Sequence, residues 1–329
     1  MNYIGERAHN FILACSYSLS PIIKFRDKSN DETIRKAISM ALLPWGFIRY
    51  CALSMTALLV KGGVKHNTSN NHIAVVAIMK NEEPYVEEWV RYYRDLGCDV
   101  IIYNNDSSGD LRGIASSAGA VVIDIHGRKR QNDAYNDAIT RYKNRYKYMM
   151  FFDGDEFIAA PVLIKNSPDH ISLEQLLDKY FSRKTNTAGL GINWLIFGSS
   201  GLEKQTLGRV TSRFTHCAKD EYEWNQLIKS VVKPEYILGF VGPHLPVTLA
   251  GKRIYDLDGK RILLPRIILP QNRKIRLHHY FTKSLEEFKI RISRGMADTN
   301  NKRSVQEFYM RDQNDVFNDL ADRIYLSYQ

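Results

Sequence analysis

Apolar and polar positions alternate in blocks between residues 73 and 153. Polar segments with helical features separate the apolar blocks: one is opened by Pro84 and stopped by Gly97, and another runs from Asn132, a capping residue type, to about Tyr146. The apolar blocks are short and rich in β-branched or aromatic residues, which is typical of buried strands: 73–79, 100–103, 121–125 and 148–152. Strands that alternate with helices predict βαβ units and a parallel sheet buried on both faces.

Polar segments follow three of these strands, at the edge where open parallel sheets bind ligands. They are Lys80-Asn81-Glu82, residues 104–110 and Asp153-Gly154-Asp155-Glu156. A last helix is predicted over about 284–293. We therefore expect the chemistry of this protein at the carboxyl ends of the strands.

The acidic segment 153–156 comes directly after five bulky residues. A buried strand that delivers two carboxylates to its tip can hold a divalent cation against phosphate oxygens, and Gly154 lets the backbone approach a ligand closely. A Walker-B strand needs a GxxxxGK[ST] loop, which the sequence lacks. A phosphatase-type loop would have Thr or Val where Phe157 stands. The pattern favours nucleotide-sugar transfer with Mn²⁺ or Mg²⁺, and a solvated acidic turn is the alternative.

Residues 1–70 carry nine Lys or Arg and four acids, half of the chain's net charge of +10. A basic balance favours anionic lipid or phosphorylated substrates, and no nucleic-acid-binding motif accompanies it. Residues 37–60 are apolar, but Pro44 and Arg49 interrupt them, which argues against a transmembrane helix. Two interpretations stay open: a helical extension packed on the main domain, or a basic-flanked segment lying on a membrane.

The four cysteines are scattered and form no CxxC pair, which predicts neither a zinc site nor a disulfide framework and fits a reducing cytoplasm. We expect a cytoplasmic protein, or one peripheral to the cytoplasmic face of the inner membrane. The glycine-rich segment 62–71 is a predicted linker. The chain thus divides into a basic, apolar extension (1–70), a main domain (72–300) and a helical tail (301–329).

An ordered series of motifs over residues 73–295 resembles bacterial members of glycosyltransferase family 92 and related enzymes with the GT-A fold. A lone DxD motif would be weak evidence, whereas this series in this order is strong. In chain order it comprises MKNE (79–82), EW (88–89), YNNDSSGD (103–110), Gln131, AY (134–135), FFDGDEF (151–157), NWLIFGSSG (193–201), RF (213–214), KSVVKPE (229–235), HHYFTKSLEEF (278–288) and RG (294–295). The resemblance implies an α/β fold, with a Rossmann-like, mostly parallel sheet flanked by helices and a helical N-terminal extension. It also implies a hexosyltransferase.

The resemblance implies a metal site and a nucleotide site. Asp153 and Asp155 would bind Mn²⁺ or Mg²⁺, with His279 as a further ligand, although His278 stands where the family pattern has asparagine and the choice between the two stays open. Loop capping is an alternative for Asn105, and helix entry is one for Gln131. Donor-binding residues would be Lys80, Asn81, Glu82, Asn105, Asp106, Gln131, Asp153 and Lys283.

Acceptor binding and catalysis are assigned by the same resemblance. The loop Gly198-Ser199-Ser200-Gly201 would lie near the donor sugar and acceptor, or form a plain surface turn. Transfer with inversion needs a general base, for which Glu221 or Asp220 is the candidate, against the alternative of ordinary surface acids. Trp194 and Trp224 would stack on sugars or pack in the core, and Lys229 would reach substrate or edge a strand.

The leading interpretation is a glycosyltransferase for cell-surface glycans. It would use a nucleotide-sugar, with UDP favoured by the family, and a saccharide or lipid-linked saccharide acceptor. The alternatives are a metal-dependent nucleotidyl- or phosphotransferase, and a non-catalytic module that binds a nucleotide or glycan.

Overall fold

The computed structural model describes residues 43–60, 72–267, 274–294 and 304–329. The predicted linker, most of the N-terminal extension and the boundary near residue 300 lie outside these ranges. The predicted division into domains therefore stays a prediction.

The first half of the main domain is the predicted βαβ series. Its strands pair in parallel with consecutive register, and helices connect them. The strands are β1 (Ile73–Met79), β2 (Cys98–Asn104), β3 (Ala120–Asp124) and β4 (Tyr148–Phe151). The helices are α1 (Leu43–Val60), which precedes β1, then α2 (Glu83–Asp95), α3 (Leu111–Ser117) and α4 (Gln131–Tyr142).

The remainder of the chain extends this sheet and covers it. The strands are β5 (Glu156–Ala159), β6 (Thr187–Ile196), β7 (His216–Cys217), β8 (Ile228–Val232), β9 (Ile237–Phe240), β10 (Pro246–Thr248), β11 (Arg253–Tyr255), β12 (Arg276–His279) and β13 (Val316–Phe317). The helices are α5 (Leu173–Phe181), α6 (Val210–Arg213), α7 (Leu285–Arg294), α8 (Val305–Arg311) and α9 (Leu320–Ser327).

Within the described residues the main sheet has nine strands. Its order is β3-β2-β1-β4-β8-β6-β12-β5, and β11 lies beside β6. Strands β8 and β5 are antiparallel to their neighbours, while the others run in one direction. The predicted α/β fold with a mostly parallel sheet flanked by helices is confirmed.

Both faces of the sheet are buried because β1 is apolar at every position. Val75 and Ala77 belong to one core cluster, which includes the inner face of α2, and Ala74 and Val76 belong to a second, which includes residues of α4. Alternate side chains of a strand point to opposite faces. The continuous apolar run of β1 is therefore the sequence signature of a strand covered on both sides.

The predicted limits of α4 were wrong by a few residues. The helix begins at Gln131, so Asn132 lies inside the first turn and does not cap it. It ends at Tyr142, four residues early, because the chain turns there: the amide of Arg145 donates to the carbonyl of Tyr142 (2.9 Å). This start places Gln131 at the edge of the sheet where β4 ends.

Helix α1 contacts the main domain, because the hydroxyl of Tyr50 donates to the carbonyl oxygen of Thr248 on β10 (3.2 Å). Pro44 occupies its second position, where a missing backbone N–H costs little. Across the described segments of the chain, no helix combines the length and apolar character needed to cross a membrane.

The C-terminal segment packs on the main domain. Ala321 and Ile324 of α9 join the larger core cluster, and β13 pairs with β7. Asp322 pairs with Arg209 ahead of α6 (2.8 Å). These contacts make residues 304–329 part of the walls around the sheet.

Candidate active site

The acidic segment after β4 lies where the sequence predicts it. Asp153 Oδ1 lies 2.8 Å from Lys229 Nζ and accepts a hydrogen bond from Gln131 Nε2 (2.9 Å). Burial opposes ionisation of Asp153, but the charge of Lys229 outweighs it, so the pKa of Asp153 is lowered. Lys229 is fully buried, and its pKa is raised, despite burial, by the carboxylates of Asp153 and Glu156.

Asp155 has a different set of partners. Its Oδ2 lies 2.8 Å from Nη1 of Arg291 on α7, and its Oδ1 lies 3.5 Å from Nε2 of His279 on β12. Burial would raise the pKa of Asp155, yet the nearby charge of Arg291 holds it well below its usual range. Asp155 is thus a carboxylate at physiological pH.

Glu156 is the third acid of the segment and is completely buried. Its Oε2 accepts from the backbone amide of Asp153 (2.8 Å), and its Oε1 has no hydrogen-bond partner in the described structure. Burial raises the pKa of Glu156 well above its usual range. The three acids of the segment can coexist because cations face two of them and burial disfavours the charge of the third.

The two histidines of β12, His278 and His279, face opposite sides of the strand. Alternation along the strand sends their side chains to opposite sides. The ring of His279 lies 4.4 Å from that of Trp194, beside Asp155, whereas the ring of His278 lies 4.7 Å from that of Phe197. Burial lowers the pKa of His278 to about 3. Only His279 therefore faces the acidic segment.

Lys283, a predicted donor-binding residue, lies near the same segment, and its donor-binding role stays a prediction. It is buried, and its ammonium lies 4.4 Å from the ring centroid of Tyr85. Burial lowers the pKa of Lys283, while the carboxylates of Glu82 and Asp155 act in the opposite direction. The residues from Lys283 to Arg291 thus bring two basic side chains towards the tip of β4.

The arrangement fits a divalent cation with few protein ligands. Nδ1 of His279 has no hydrogen-bond partner among the described residues and its Nε2 faces Asp155 Oδ1 at 3.5 Å, and an imidazole together with a carboxylate is a suitable donor set for Mn²⁺. Within that same part of the chain, no group of three or more His, Cys, Asp or Glu residues forms a complete cage. Mg²⁺ characteristically uses one or two carboxylates together with substrate phosphates, a mode that Asp155 with Asp153 beside it suits.

Comparison with known families identifies the chain. The family model described as Glycosyltransferase family 92 matches residues 121–305, more than half of the sequence. The chain belongs to glycosyltransferase family 92. The predicted family is confirmed.

A curated relative of this family 92 chain is distant in sequence. A family 92 protein of Arabidopsis thaliana is 25% identical over 184 residues, which cover 54% of this chain and 30% of the relative. The match thus spans less than a third of the relative's length.

Solved structures show only weak likeness. A mycobacterial protein is 18% identical, with a TM-score of 0.27, and the match covers 43% of this chain and 44% of that protein. The glucosyl-3-phosphoglycerate synthase of Mycobacterium tuberculosis is 17% identical, with a TM-score of 0.26, and the match covers 43% of this chain and 48% of the synthase. A structure of the same synthase in complex with Mg²⁺ and UDP is 16% identical, with a TM-score of 0.24, and the match covers 43% of this chain and 47% of the synthase. TM-scores this low indicate no close structural similarity between these proteins and the family 92 chain.

Several side chains of this family 92 site were missed or undervalued in the sequence. Arg291 gives no signal beyond its place on an amphipathic helix after the HHY motif. His244 follows Pro243 in a loop; its ring packs on Trp194 (5.4 Å), and burial lowers its pKa to about 4. Lys229, for which strand-edge and substrate roles were both open, is instead the buried partner of Asp153.

The predicted nucleotide loops are held together by their own side chains. Asn81 Oδ1 accepts from the amide of Ser108 (2.8 Å), and Asn105 Nδ2 donates to the carbonyl of Gly127 (2.9 Å). Asp106 pairs with His126 (2.6 Å) and acts electrostatically with the exposed Lys80. Asn81 and Asn105 therefore shape the loops of this family 92 chain, and direct nucleotide contacts by Lys80 to Glu82, Asn105 and Asp106 stay predictions.

The loop Gly198–Gly201 is held by the C-terminal segment. The amide of Ser199 donates to Asp312 Oδ1 (2.5 Å) and that of Ser200 to Asn314 Oδ1 (2.7 Å), while Ser200 Oγ accepts from the amide of Thr215 (2.8 Å). The loop follows β6, whose neighbour β12 ends at His279. Its serine side chains are used within the protein, so its sugar-binding role stays a prediction.

We expect Gly198→Ala to destabilise this loop. A Cβ there would clash with both Asn314 Oδ1 and the carbonyl oxygen of Gln313, so the C-terminal segment must move. Overpacking of this kind costs about 1–3 kcal/mol, measurable by urea unfolding. The control is Gly242→Ala, since a Cβ at Gly242 meets nothing within 4 Å. Equal stability of both variants would contradict the prediction.

Of the two predicted general bases, Asp220 lies on the other side of β12 from His279. Asp220 Oδ1 is 2.9 Å from Arg276 Nη1, and Arg276 points to the same side of β12 as His278. Glu221, next to it, is exposed. The role of either acid as the base stays a prediction, and the structure separates Asp220 from His279 by the thickness of β12.

The two tryptophans have different surroundings. Trp224 has the guanidinium of Arg311 over its ring at 3.7 Å, which occupies one face of the predicted sugar platform. Trp194 is only 6% exposed, and its Nε1 has no hydrogen-bond partner among the described residues. Trp194 is therefore a buried wall of the candidate site with one unused donor.

Proposed function

We propose that this chain transfers a sugar from a nucleotide-sugar, with UDP favoured, to a saccharide or lipid-linked saccharide in a metal-dependent, inverting reaction. The proposal rests on one observation. Buried polar atoms near Asp153 and Asp155, among them Glu156 Oε1, Trp194 Nε1 and His279 Nδ1, have no hydrogen-bond partner in the described structure. Such atoms are rare in folded proteins because each costs about 1–3 kcal/mol, so a cluster of them indicates a site that a polar ligand completes.

Asp155 and His279 would hold the divalent ion, and Asp153 would lie beside it. When bound, the ion would neutralise negative charge on the diphosphate. Lys229 and Gln131 orient Asp153 through its Oδ1. A rigidly held carboxylate keeps its position when the ligand binds, which favours precise placement of the donor.

Lys283 and Arg291 supply further positive charge at the same place. Burial lowers the pKa of the Lys283 ammonium, so this group gains when a diphosphate provides an additional anionic partner. Lys80 lies at the exposed end of β1, within the electrostatic reach of Asp106, and suits the nucleotide side of the donor.

The acceptor hydroxyl must lose a proton as the sugar is transferred. We assign this role to Glu221, because the structure engages Asp220 with Arg276 on the other side of β12. A loss of only about tenfold or less in turnover for Glu221→Gln would place the base elsewhere, because general-base catalysis contributes about 10²–10⁴-fold. The basic N-terminal segment supports a peripheral membrane location, which a vesicle flotation assay tests.

The direct test is release of nucleoside diphosphate from a panel of nucleotide-sugars in the presence of Mn²⁺. Since the acceptor is unidentified, binding of UDP with and without Mn²⁺ is measured by calorimetry on the same preparation. We expect one donor to be consumed, and UDP binding to be lost with EDTA. Consumption of a nucleoside triphosphate instead would favour the phosphotransferase alternative, and metal-dependent binding without turnover on supplied acceptors would favour a binding module.

Trp194→Phe is expected to weaken donor binding while leaving stability intact. The change removes the unpartnered N–H and keeps a buried aromatic ring, so the fold loses no hydrogen bond. A ligand that uses this donor loses one bond, which corresponds to about two- to tenfold in Kd.

The matched control is Trp89→Phe, because Trp89 Nε1 donates to the carbonyl oxygen of Glu156 (3.0 Å). That change removes one of two buried hydrogen bonds to this oxygen, which also accepts from the hydroxyl of Tyr93 (2.9 Å), and is expected to cost about 0.5–1.5 kcal/mol of unfolding free energy. Calorimetry and urea unfolding measure both effects. A destabilised Trp194→Phe with unchanged donor affinity would show that this N–H serves the fold.

A further inference from the structure

A second pocket, of about 210 Å³, lies on the side of β12 away from His279; we call it the rear pocket. Its walls come from β5, β6, β12 and the C-terminal segment, and include Leu195, Asp220, Arg276, His278, Asn318 and Leu320. Apolar side chains form part of the wall and charged or amide side chains form the rest. The pocket is thus a separate cavity backing on to the candidate active site.

Two charged groups of the rear pocket, Arg276 and Asp220, are paired with each other. Arg276 is 4% exposed; its Nη1 lies 2.9 Å from Asp220 Oδ1 and its Nε donates to the carbonyl of Trp194 (3.2 Å). A carboxylate and a guanidinium held together offer acceptors and donors side by side without a large net charge. Lys274 also lines the pocket, so its wall carries one carboxylate and two cationic side chains; the Asp220 carboxylate offers acceptors to hydroxyl groups and repels a free anion placed beside it.

His278 gives the second, independent observation. It lines the rear pocket, is 1% exposed, and its Nδ1 has no hydrogen-bond partner among the residues that the structure describes. Its ring is fixed against Phe197 at 4.7 Å. A buried imidazole nitrogen without a partner is costly in the protein alone, and a polar ligand in the pocket would remove this cost.

We propose that the rear pocket binds one monosaccharide unit. Its volume is below the 300–1,000 Å³ typical of drug-sized ligands, which limits the occupant to about a single ring. Asp220, Arg276, Asn318 and the imidazole of His278 provide the mixed donors and acceptors that vicinal hydroxyls need, and Leu195 provides an apolar wall for C–H groups. The inference needs no step of the proposed reaction, and it makes the pocket a second carbohydrate site.

Saturation-transfer NMR on the full chain, without nucleotide or metal, tests the proposal with glucose, galactose, N-acetylglucosamine and glucuronate. At least one sugar is expected to bind saturably. Val316→Trp, at the partly exposed rim of the pocket, is expected to weaken sugar binding about tenfold because the larger side chain obstructs the entrance. His278→Phe is expected to weaken binding by about the same factor because one hydrogen bond to the sugar is lost. The matched control is Phe317→Trp, which alters the adjacent exposed position that packs on His216.

The Asp155→Asn variant separates the two cavities. Sugar binding that survives Asp155→Asn but not Val316→Trp supports the rear pocket. Binding that is lost in Asp155→Asn and kept in Val316→Trp places the sugar beside the acidic segment and overturns the proposal. Absence of saturable binding for every sugar also overturns it, as does binding of orthophosphate alone, which would assign the pocket to anions.

Discussion

Asp155→Asn is expected to reduce nucleoside diphosphate release by about a hundredfold or more, since a bound metal ion contributes several kcal/mol to such reactions. The amide keeps the size of the side chain but removes the charge that pairs with Arg291 and faces His279. Metal-dependent UDP binding should weaken in parallel, because the amide is a poorer ligand for a hard cation. The assay is the donor panel described above, with calorimetry of UDP and Mn²⁺.

Two comparisons make this result specific. Asp258→Asn removes a carboxylate from an exposed turn and should leave activity unchanged. Wild-type protein in EDTA should show the same loss as Asp155→Asn. Near wild-type turnover by Asp155→Asn would contradict the metal role, and equal activity of the wild type with and without EDTA would remove the metal from the mechanism altogether.

Lys229→Met should be among the most destabilising single substitutions in the main domain. Lys229 is fully buried with its Nζ 2.8 Å from Asp153 Oδ1, and its charge also acts on Glu156. Methionine keeps a long side chain but leaves the carboxylate of Asp153 without its cationic partner. Breaking a buried ion pair from one side costs about 3–5 kcal/mol of unfolding free energy, measurable by urea unfolding at pH 7.

The pH dependence gives the sign of this effect. Lys229 holds the pKa of Asp153 in the folded protein below its ordinary value. The Asp153–Lys229 pair therefore stabilises the fold fully above the unfolded-state pKa of aspartate, near 3.9. This stabilisation is lost as the pH falls through the lowered pKa of the folded state. In Lys229→Met the remaining carboxylates are protonated more easily. The stability difference between variant and wild type should therefore shrink as the pH falls from 7 towards 4.

Lys147→Met is the matched control for this prediction. Lys147 also forms an ion pair, with Asp178 at 2.7 Å, but its side chain is 39% exposed. Exposed pairs contribute about 0–1 kcal/mol because water screens them. The double variant Lys229→Met with Glu156→Gln should recover part of the lost stability. Similar losses in Lys229→Met and Lys147→Met would show that the buried cluster is not electrostatically coupled as described.

The tip of β4 emerges as a nearly balanced group of charges. Asp153 faces Lys229 and Asp155 faces Arg291, while Glu156 lies behind them with a raised pKa. A site of this kind can accept a metal and a diphosphate together, since the added positive and negative charges largely offset each other. For the proposed reaction we expect metal and nucleotide to bind cooperatively, because each would improve the electrostatic environment of the other.

The main features of the sheet could be predicted from the sequence. The apolar run of β1 can be satisfied only by burial on both faces, and the strand–helix alternation after it leaves a parallel sheet as the simplest solution. The position of Asp153 and Asp155 follows from the same logic, because residues that directly follow a buried strand lie at its carboxyl end. The motif series was sufficient for the family.

Only the tertiary structure decided which distant side chains meet these acids. His278 and His279 are neighbours in the sequence, and their difference arises from the side of β12 that each side chain faces. Lys229 reaches Asp153 because β8 pairs with β4 in the antiparallel direction, and Arg291 reaches Asp155 because α7 packs over the end of the sheet. The sequence by itself determined the elements and their polar ends, since these depend on local pattern. Partnerships between charges depend on register and packing across many residues, which no local pattern encodes.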